Sequence, residues 1–569
     1  MTVDSTRAAP PARLNPKFTR APKELGDFTT NVRVIPMSVV AVLIGVLCCF
    51  VASVLLRLIA FFTNVFYFQR FSLAAVSPAN PTLGVVSVLL PVVGGLIIGL
   101  MARFGSDRIR GHGIPEAIES ILLRGSRIEP KVAFLKPLSS AISIGSGGPF
   151  GAEGPIIMTG GAFGSMLGQL LRVTNAERKT LLVAGAAAGM SATFASPVAA
   201  ALLAVELLLF EWKPRSFIPV ALASATAAVL RVPMLGQGPL FVVPHHAVIS
   251  GPKAMGACVA CGLLAGVLSA LLTLSVYAFE DLFHRLPIHW MWWPAIGGAV
   301  IGMGGLIRPN ALGVGYDVIE QLVQGHLLGA GLVALLVVKW VIWSVSLGSG
   351  TSGGVLAPLL IMGAALGGCE AGWFPNLGPG YWQVISMGAI LGGTMRSPFT
   401  GIIFVLELTH DINLMLPLLL SVTCAHAFTV LLLKRSILTE KVSRRGFHVT
   451  REYEAEPTET IFVREVMTEE ASPTPASLLP DVANAQIRAV VAFADESLRS
   501  VVNRMAALGV TVLPVVDRLD RTRVLGKIDL HDLLKARVRH LKDEQHRERV
   551  FPVARLMPSL LRSLTNPRS

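Results

Sequence analysis

Six stretches of the chain, at 39–66, 83–101, 254–279, 291–307, 328–347 and 415–433, carry at most one Lys, Arg, Asp or Glu each. Most are long enough to cross about 30 Å of hydrocarbon as helices. A chain with this many such stretches is a polytopic membrane protein. Its composition agrees: 52% of residues are hydrophobic, 15% are charged, and the mean hydropathy is +0.62. Between the long stretches lie shorter apolar segments broken by Gly and Pro. Non-helical backbone survives at membrane depth only when buried in protein or lining a polar cavity, so these breaks are where function is sought.

The charge pattern sets orientation. Residues 1–32 are polar and basic, with Arg7, Arg13, Lys17, Arg20 and Lys23, and lack the early apolar core of a signal peptide. A second basic cluster, Lys434, Arg435, Lys441, Arg444 and Arg445, follows the last long stretch. Both ends are therefore expected to face the cytoplasm. The net charge of +13 is accounted for by these flanks, and no soluble basic face with stacking aromatics points to nucleic acid. The six cysteines (Cys48, Cys49, Cys258, Cys261, Cys369 and Cys424) all sit in apolar segments, as small hydrophobes do. Neither disulfides nor a metal site are expected, and the Cys258-x-x-Cys261 spacing lacks the βαβ surroundings of a redox motif.

An internal repeat organises the membrane region. GSGGPFGAEGPIIMTGGAFG (145–164) and AGAAAGMSATFASPVAAALLAVEL (184–207) recur in order as GSGTSGGVLAPLLIMGAALGG (348–368) and MGAILGGTMRSPFTGIIFVLEL (387–408). The offset is 358 − 155 = 203 at the prolines of GP and AP, then 397 − 196 = 201 at Ser-Pro and 407 − 206 = 201 at the following glutamate. Duplicated halves with broken helices are a transporter architecture, with the substrate near the midplane where the repeats meet. Gly lets the backbone turn sharply and Pro suits a first helical position, so each break reads as a helix N-terminus. Several such termini converging would coordinate an anion with unpaired N–H groups and partial positive charge. Glu206 and Glu407 hold matching places in the two copies, which suggests helix-end roles rather than catalysis.

Beyond Lys434 the character changes. Residues 440–460 form a charged linker, and 461–536 read as a small α/β module. A helical stripe at Leu498, Val501, Val502, Met505 and Leu508 precedes a strand-like run at 510–517 and a further run at 524–536. The basic tail 537–569 closes the chain. The membrane region divides into repeats at 33–235 and 236–439.

Three motifs in this order, GHGIPEAIES (111–120), GAEGP (151–155) and GSGTSGGVLAP (348–358), resemble the signature motifs of the CLC family of chloride channels and H+/Cl− exchangers. The resemblance covers about residues 35–445. It implies an all-α fold made of an inverted repeat of tilted, broken helices, assembled as a homodimer in the inner or plasma membrane with one anion pathway per subunit. By the resemblance Glu153 is the gating glutamate, whose carboxylate occupies the outer anion site and leaves when protonated or displaced. A carboxylate at a Gly-rich break would compete with an anion on physical grounds too, and an intramembrane acid is costly enough to be functional by default. The resemblance also makes the backbone of Ala152, Glu153, Gly154, Val355 and Leu356 the lining of the outer and central anion sites, and Gly111, His112, Gly113 and Ile114 the inner entrance.

Three positions depart from the family pattern. His112 stands where the family usually has Ser, or Pro in some nitrate-handling members; an imidazole there can donate to an anion or turn aside to the backbone. Leu438 stands where a tyrosine is usual. Leu207 replaces the inner glutamate of proton-coupled members, and leucine cannot relay protons. The expected function is thus transport of chloride, channel-like or weakly proton-coupled. The alternatives are a H+/Cl− antiporter with another inner relay, and selectivity for nitrate, bicarbonate or fluoride. The tail resembles a cystathionine-β-synthase-type (CBS) module with a degenerate first copy at VREVMT (463–468). In it Asp532 of GKIDLHD (526–532) is a candidate for a nucleotide ribose, although Asp529 stands where Ser or Thr is usual. No other cofactor is expected. An intramembrane enzyme is disfavoured, because no HExxH or G-x-S-x-G motif is present.

Overall fold

The structure is a computed structural model. It describes residues 30–79, 82–248, 251–327 and 329–445, and in the C-terminal part 462–469, 491–496, 498–517, 520, 523–535 and 538. Most of the basic N-terminal segment, the linker beyond 445 and nearly all of the tail from 537 lie outside the described residues. The chain forms two compact units, Met1–Arg451 and Glu452–Ser569.

Among the described residues, seven helices of the first unit are long and apolar enough to cross a membrane: Val34–Phe68, Gly84–Phe104, Pro214–Leu235, Pro252–His284, Trp290–Ile307, Ala330–Gly348 and Ile412–Arg444. Six of them coincide with the six apolar stretches to within a few residues at the start, and some extend beyond them at the end. The seventh, Pro214–Leu235, went unread because Arg215, Pro219, Arg231 and Pro233 break its apolar run. Its first proline occupies the opening turn, where a missing N–H costs nothing.

The repeat is visible in the backbone. Each half contains a buried helix, Asn175–Phe194 in the first, buried from Thr180 onward, and Tyr381–Met395 in the second, buried throughout. Each ends on a left-handed residue, Ala195 at φ 56° and Arg396 at φ 56°. Ser-Pro follows, and the proline opens a short helix, Pro197–Leu203 or Pro398–Thr409. The buried helices can lie this close to their neighbours because the contacts are made by small residues. A methyl on Gly160 would stand 2.2 Å from the Gly185 carbonyl oxygen.

The halves differ just beyond this point. In the first, Pro197–Leu203 continues as a π-helical turn, Ala204–Leu209, before the left-handed Phe210; in the second, Pro398–Thr409 runs unbroken to the left-handed His410. The first copy thus takes 13 residues from proline to left-handed end (210 − 197) and the second 12 (410 − 398). A one-residue insertion absorbed within a helix produces such a π turn.

The second unit contains a four-stranded sheet in the order β1-β4-β3-β2, where β1 is Thr468–Glu469, β2 Ala492–Phe493, β3 Val512–Val516 and β4 Val524–Asp529. β2 pairs with β3 in parallel, whereas β4 is antiparallel to both its neighbours. The helix Leu498–Leu508 buries Leu498, Val501 and Met505 of the expected stripe. These pack with Val463, Ala492, Leu513, Val515 and Ile528.

Candidate functional site

Three broken segments meet in the first unit. Gly111 pairs with Ser352 in a parallel bridge, and Gly151 with Gly354 in an antiparallel one. Gly151 N–H donates to Gly354 O at 3.2 Å and Gly354 N–H returns to Gly151 O at 2.9 Å. These pairs draw together the N-termini of three helices, Ile114–Leu123, Glu153–Leu170 and Leu356–Glu370. Only glycine permits the approach at 154: a Cβ there would lie 1.9 Å from the His112 carbonyl oxygen and 3.2 Å from Gly354 Cα.

Glu153 opens its helix and is wholly buried. Its Oε1 accepts the N–H of Ala357 at 3.1 Å, and its Oε2 has no hydrogen-bond partner among the described residues. The carboxylate lies in a cradle of backbone. A Cβ added at Gly151 would fall 1.7 Å from Oε2, and one at Gly354 2.7 Å from it. The first-half carboxylate thus sits at the N-terminus of a second-half helix, where partial positive charge favours an anion. Ala152, Gly154, Val355 and Leu356 are buried around it. Ala357 was not read from the sequence as part of the site; its amide is one step beyond the motif positions that were.

On another side of the same segments lies a cavity of about 530 Å³. Gly111 and His112 line it, with Arg108, Arg110, Arg124, Lys441, Arg444 and Arg445 against Asp107, Glu116, Glu119 and Glu280. His112 is 3% exposed, and its Nδ1 makes no hydrogen bond with the described residues. That ring nitrogen is not turned aside to a backbone carbonyl. The Gly113 N–H, in contrast, donates to Glu116 Oε2 at 2.9 Å, and Lys441 Nζ holds Glu116 Oε1 at 2.6 Å. Gly113 therefore serves the helix cap with its amide, and Ile114 begins the buried helix.

Leu438 lies fully buried in the helix Ile437–Arg444. The hydroxyl of Tyr277, another cavity residue, donates to the neighbouring Ile437 carbonyl at 2.5 Å. Leu207 is buried in the π turn among Val205, Leu208 and Leu209. One aromatic hydroxyl was missed in the sequence: Tyr316 OH is buried without a hydrogen-bond partner among the described residues and lies within electrostatic reach of Glu153. Its signal was weak, because the surrounding GVGYDVIE matches none of the three motifs.

In the second unit, Asp532 is 1% exposed and its carboxylate is occupied. Thr468 Oγ1 donates to Oδ1 at 3.2 Å, Asp529 N–H to Oδ2 at 3.2 Å, and Lys535 Nζ to Oδ1 at 3.2 Å. Asp529 accepts from the Asp532 N–H at 2.9 Å in return. This backbone bond holds the Asp529 carboxyl below the usual range. Among the described residues no group of His, Cys, Asp and Glu is placed to hold a metal ion.

A model of the voltage-gated chloride channel family matches residues 94–430. The chain belongs to this family, the CLC proteins. It is 30% identical over 344 residues to a ClcB-like protein of Ralstonia nicotianae, covering 59% of this chain and 80% of that one. It is also 30% identical over 380 residues to the H(+)/Cl(−) exchange transporter ClcA of Vibrio cholerae serotype O1, covering 63% and 78%. Solved CLC structures share the fold. A slow cyanobacterial Cl−/H+ antiporter aligns with a TM-score of 0.63 at 22% identity, over 73% of this chain and 99% of the other. A CLC-type fluoride/proton antiporter aligns at 0.59 and 20%, over 70% and 97%. As a CLC protein the chain is an integral, multi-pass membrane protein of anion transport, not an enzyme.

Proposed function

We propose that this protein carries chloride along a pathway running from the basic cavity, past His112 and the converging helix N-termini, to the seat now filled by the Glu153 carboxylate. The observation that carries the reading is Glu153 itself. One oxygen is held by the Ala357 amide and the other lies unbonded in a glycine cradle, as a permeating anion would be held. When protonated, the carboxyl loses the charge that favours this position, and a chloride ion takes its place. His112 offers a donor along the route, and the six Lys and Arg residues of the cavity outnumber its four carboxylates, a balance that favours anions.

Flow is channel-like or weakly proton-coupled in this reading, since Leu207 is buried in the π turn and its side chain carries no proton. The second reading, H+/Cl− exchange with another inner relay, is favoured by the likeness to the H(+)/Cl(−) exchange transporter ClcA. Fluoride, nitrate and bicarbonate are the competing substrates. The working unit is a homodimer in the inner or plasma membrane with both termini cytoplasmic, as the Lys434–Arg445 basic cluster favours. The C-terminal unit serves as a CBS-like regulator; with the Asp532 carboxylate spent internally, dimer contact suits it better than nucleotide binding.

The test is anion efflux from liposomes holding the purified protein, with proton movement recorded in parallel. Chloride efflux without protons supports the first reading, and uphill proton movement driven by chloride supports the second. Absence of flux with chloride, nitrate, bicarbonate and fluoride alike removes both.

A further inference from the structure

The repeat contains a pair of lysines that the motifs do not include. Lys136 lies in the helix Pro130–Gly145 and Lys339 in the helix Ala330–Gly348, at the repeat offset of 339 − 136 = 203. Both are 0% exposed. Lys136 Nζ donates to the carbonyls of Ile109 at 2.8 Å and Gly111 at 2.7 Å, and to Ser352 Oγ at 3.2 Å. Lys339 Nζ donates to the carbonyls of Ala311 at 2.9 Å and Gly313 at 3.2 Å. The acceptors match as well, since 311 − 109 and 313 − 111 are both 202. Gly111 and Gly313 are both left-handed, at φ 79° and 65°. The two halves therefore use one device twice: a buried ammonium group holding the two carbonyls of a glycine turn.

Neither lysine has a carboxylate in ion-pair contact among the described residues. Desolvating an ammonium group without such a partner is expensive, and neutral carbonyls offset only part of the cost. Packing alone is served more cheaply by methionine or leucine. A buried cation with no ion-pair partner is, however, what stabilises a desolvated anion nearby. Lys136 holds the turn whose next residue is His112, and Lys339 lies in the helix that leads into 348–358, the segment whose Ala357 amide holds Glu153; Asp317 and Glu153 are the acids that act on it.

We infer that Lys136 and Lys339 are duplicated positioning cations of the anion pathway, fixing its glycine turns and supplying the positive potential that retains the anion, Lys136 near His112 and Lys339 near the Glu153 seat. This rests on the pathway proposed above. The test is chloride binding to the purified full-length protein by titration calorimetry, comparing wild type with Lys136→Gln, Lys339→Gln, Lys136→Arg and Lys339→Arg. Glutamine keeps an N–H for the carbonyls but removes the charge; arginine keeps both. The glutamine variants are expected to bind chloride about tenfold more weakly, and the arginine variants within about threefold of wild type. Size-exclusion profiles and thermal midpoints verify folding. Folded glutamine variants with wild-type affinity would overturn the inference and leave the pathway standing. Glutamine variants that never fold while the arginine ones do would also overturn it, because the charge would then serve the fold. Wild-type protein that binds none of chloride, nitrate or fluoride would remove the pathway reading, and the inference with it.

Discussion

Glu206 and Glu407 cap each other's repeat. Glu206, in the first half, accepts the N–H groups of Phe399 at 3.2 Å and Thr400 at 2.9 Å, at the start of the second-half helix Pro398–Thr409. Glu407, in the second half, accepts those of Val198 at 2.9 Å and Ala199 at 2.8 Å, at the start of Pro197–Leu203. Each carboxylate satisfies two amides that the proline-initiated helix leaves unpaired, and each lies against the positive end of the other's dipole.

A structural role for these glutamates has a measurable signature. Glu206→Ala and Glu407→Ala should each lower stability by about 1–2 kcal/mol, as loss of a helix cap does. Glutamine, which keeps one acceptor, should cost less. Thermal unfolding of the purified protein checks the stability, and liposome flux checks the function. The proton-to-chloride ratio should not change in either glutamine variant; a changed ratio would give one of these acids a place in the transport cycle.

The glycine at 154 offers a steric test. With a Cβ placed 1.9 Å from the His112 carbonyl oxygen, Gly154→Ala must push the first two motifs apart, at a cost of about 1–3 kcal/mol or more. Flux should collapse even where protein is recovered. Gly256, exposed in the helix Pro252–His284 with nothing near its Cβ position, is the control. Gly256→Ala, at a helical glycine outside the left-handed region, should keep wild-type flux and gain up to about 1 kcal/mol in stability.

His112 is expected to act as a donor. His112→Leu removes both ring nitrogens from the cavity wall and should weaken chloride binding by about tenfold, the worth of one hydrogen bond to a charged group. His112→Ser restores an O–H and should recover most of the loss. Calorimetric titration with chloride, nitrate and fluoride checks both affinity and selectivity. Equal affinities across the three proteins would place the imidazole outside the pathway.

The sequence made the duplication legible because Ser-Pro and glutamate recur at a fixed offset, and the breaks were legible because Gly and Pro punctuate apolar runs. What was missed follows from the same logic. Pro214–Leu235 was hidden by its own prolines and arginines. The GVG turn at 313–315, counterpart of GHG at 111–113, lacks the downstream sequence that made the first copy recognisable. Lys136 and Lys339 lie inside the helices that precede the second and third motifs, so only extending the repeat offset along the chain pairs them. The π turn after Leu203 follows from a single inserted residue in an apolar run, which periodicity cannot locate. The meeting of Glu153 with the Ala357 amide spans 204 positions (357 − 153), a contact that the fold creates and local pattern does not encode.

The most direct test concerns the Glu153 seat. Chloride efflux from liposomes should be recorded for wild type and Glu153→Gln across pH, with proton movement followed by electrode. If the carboxylate competes with the anion for the Ala357 amide, wild-type flux rises as pH falls and Glu153 is protonated. Glu153→Gln, which cannot ionise, then conducts at a rate that no longer depends on pH and moves no protons. A Glu153→Gln protein with the wild-type rate, pH dependence and proton movement would contradict the account.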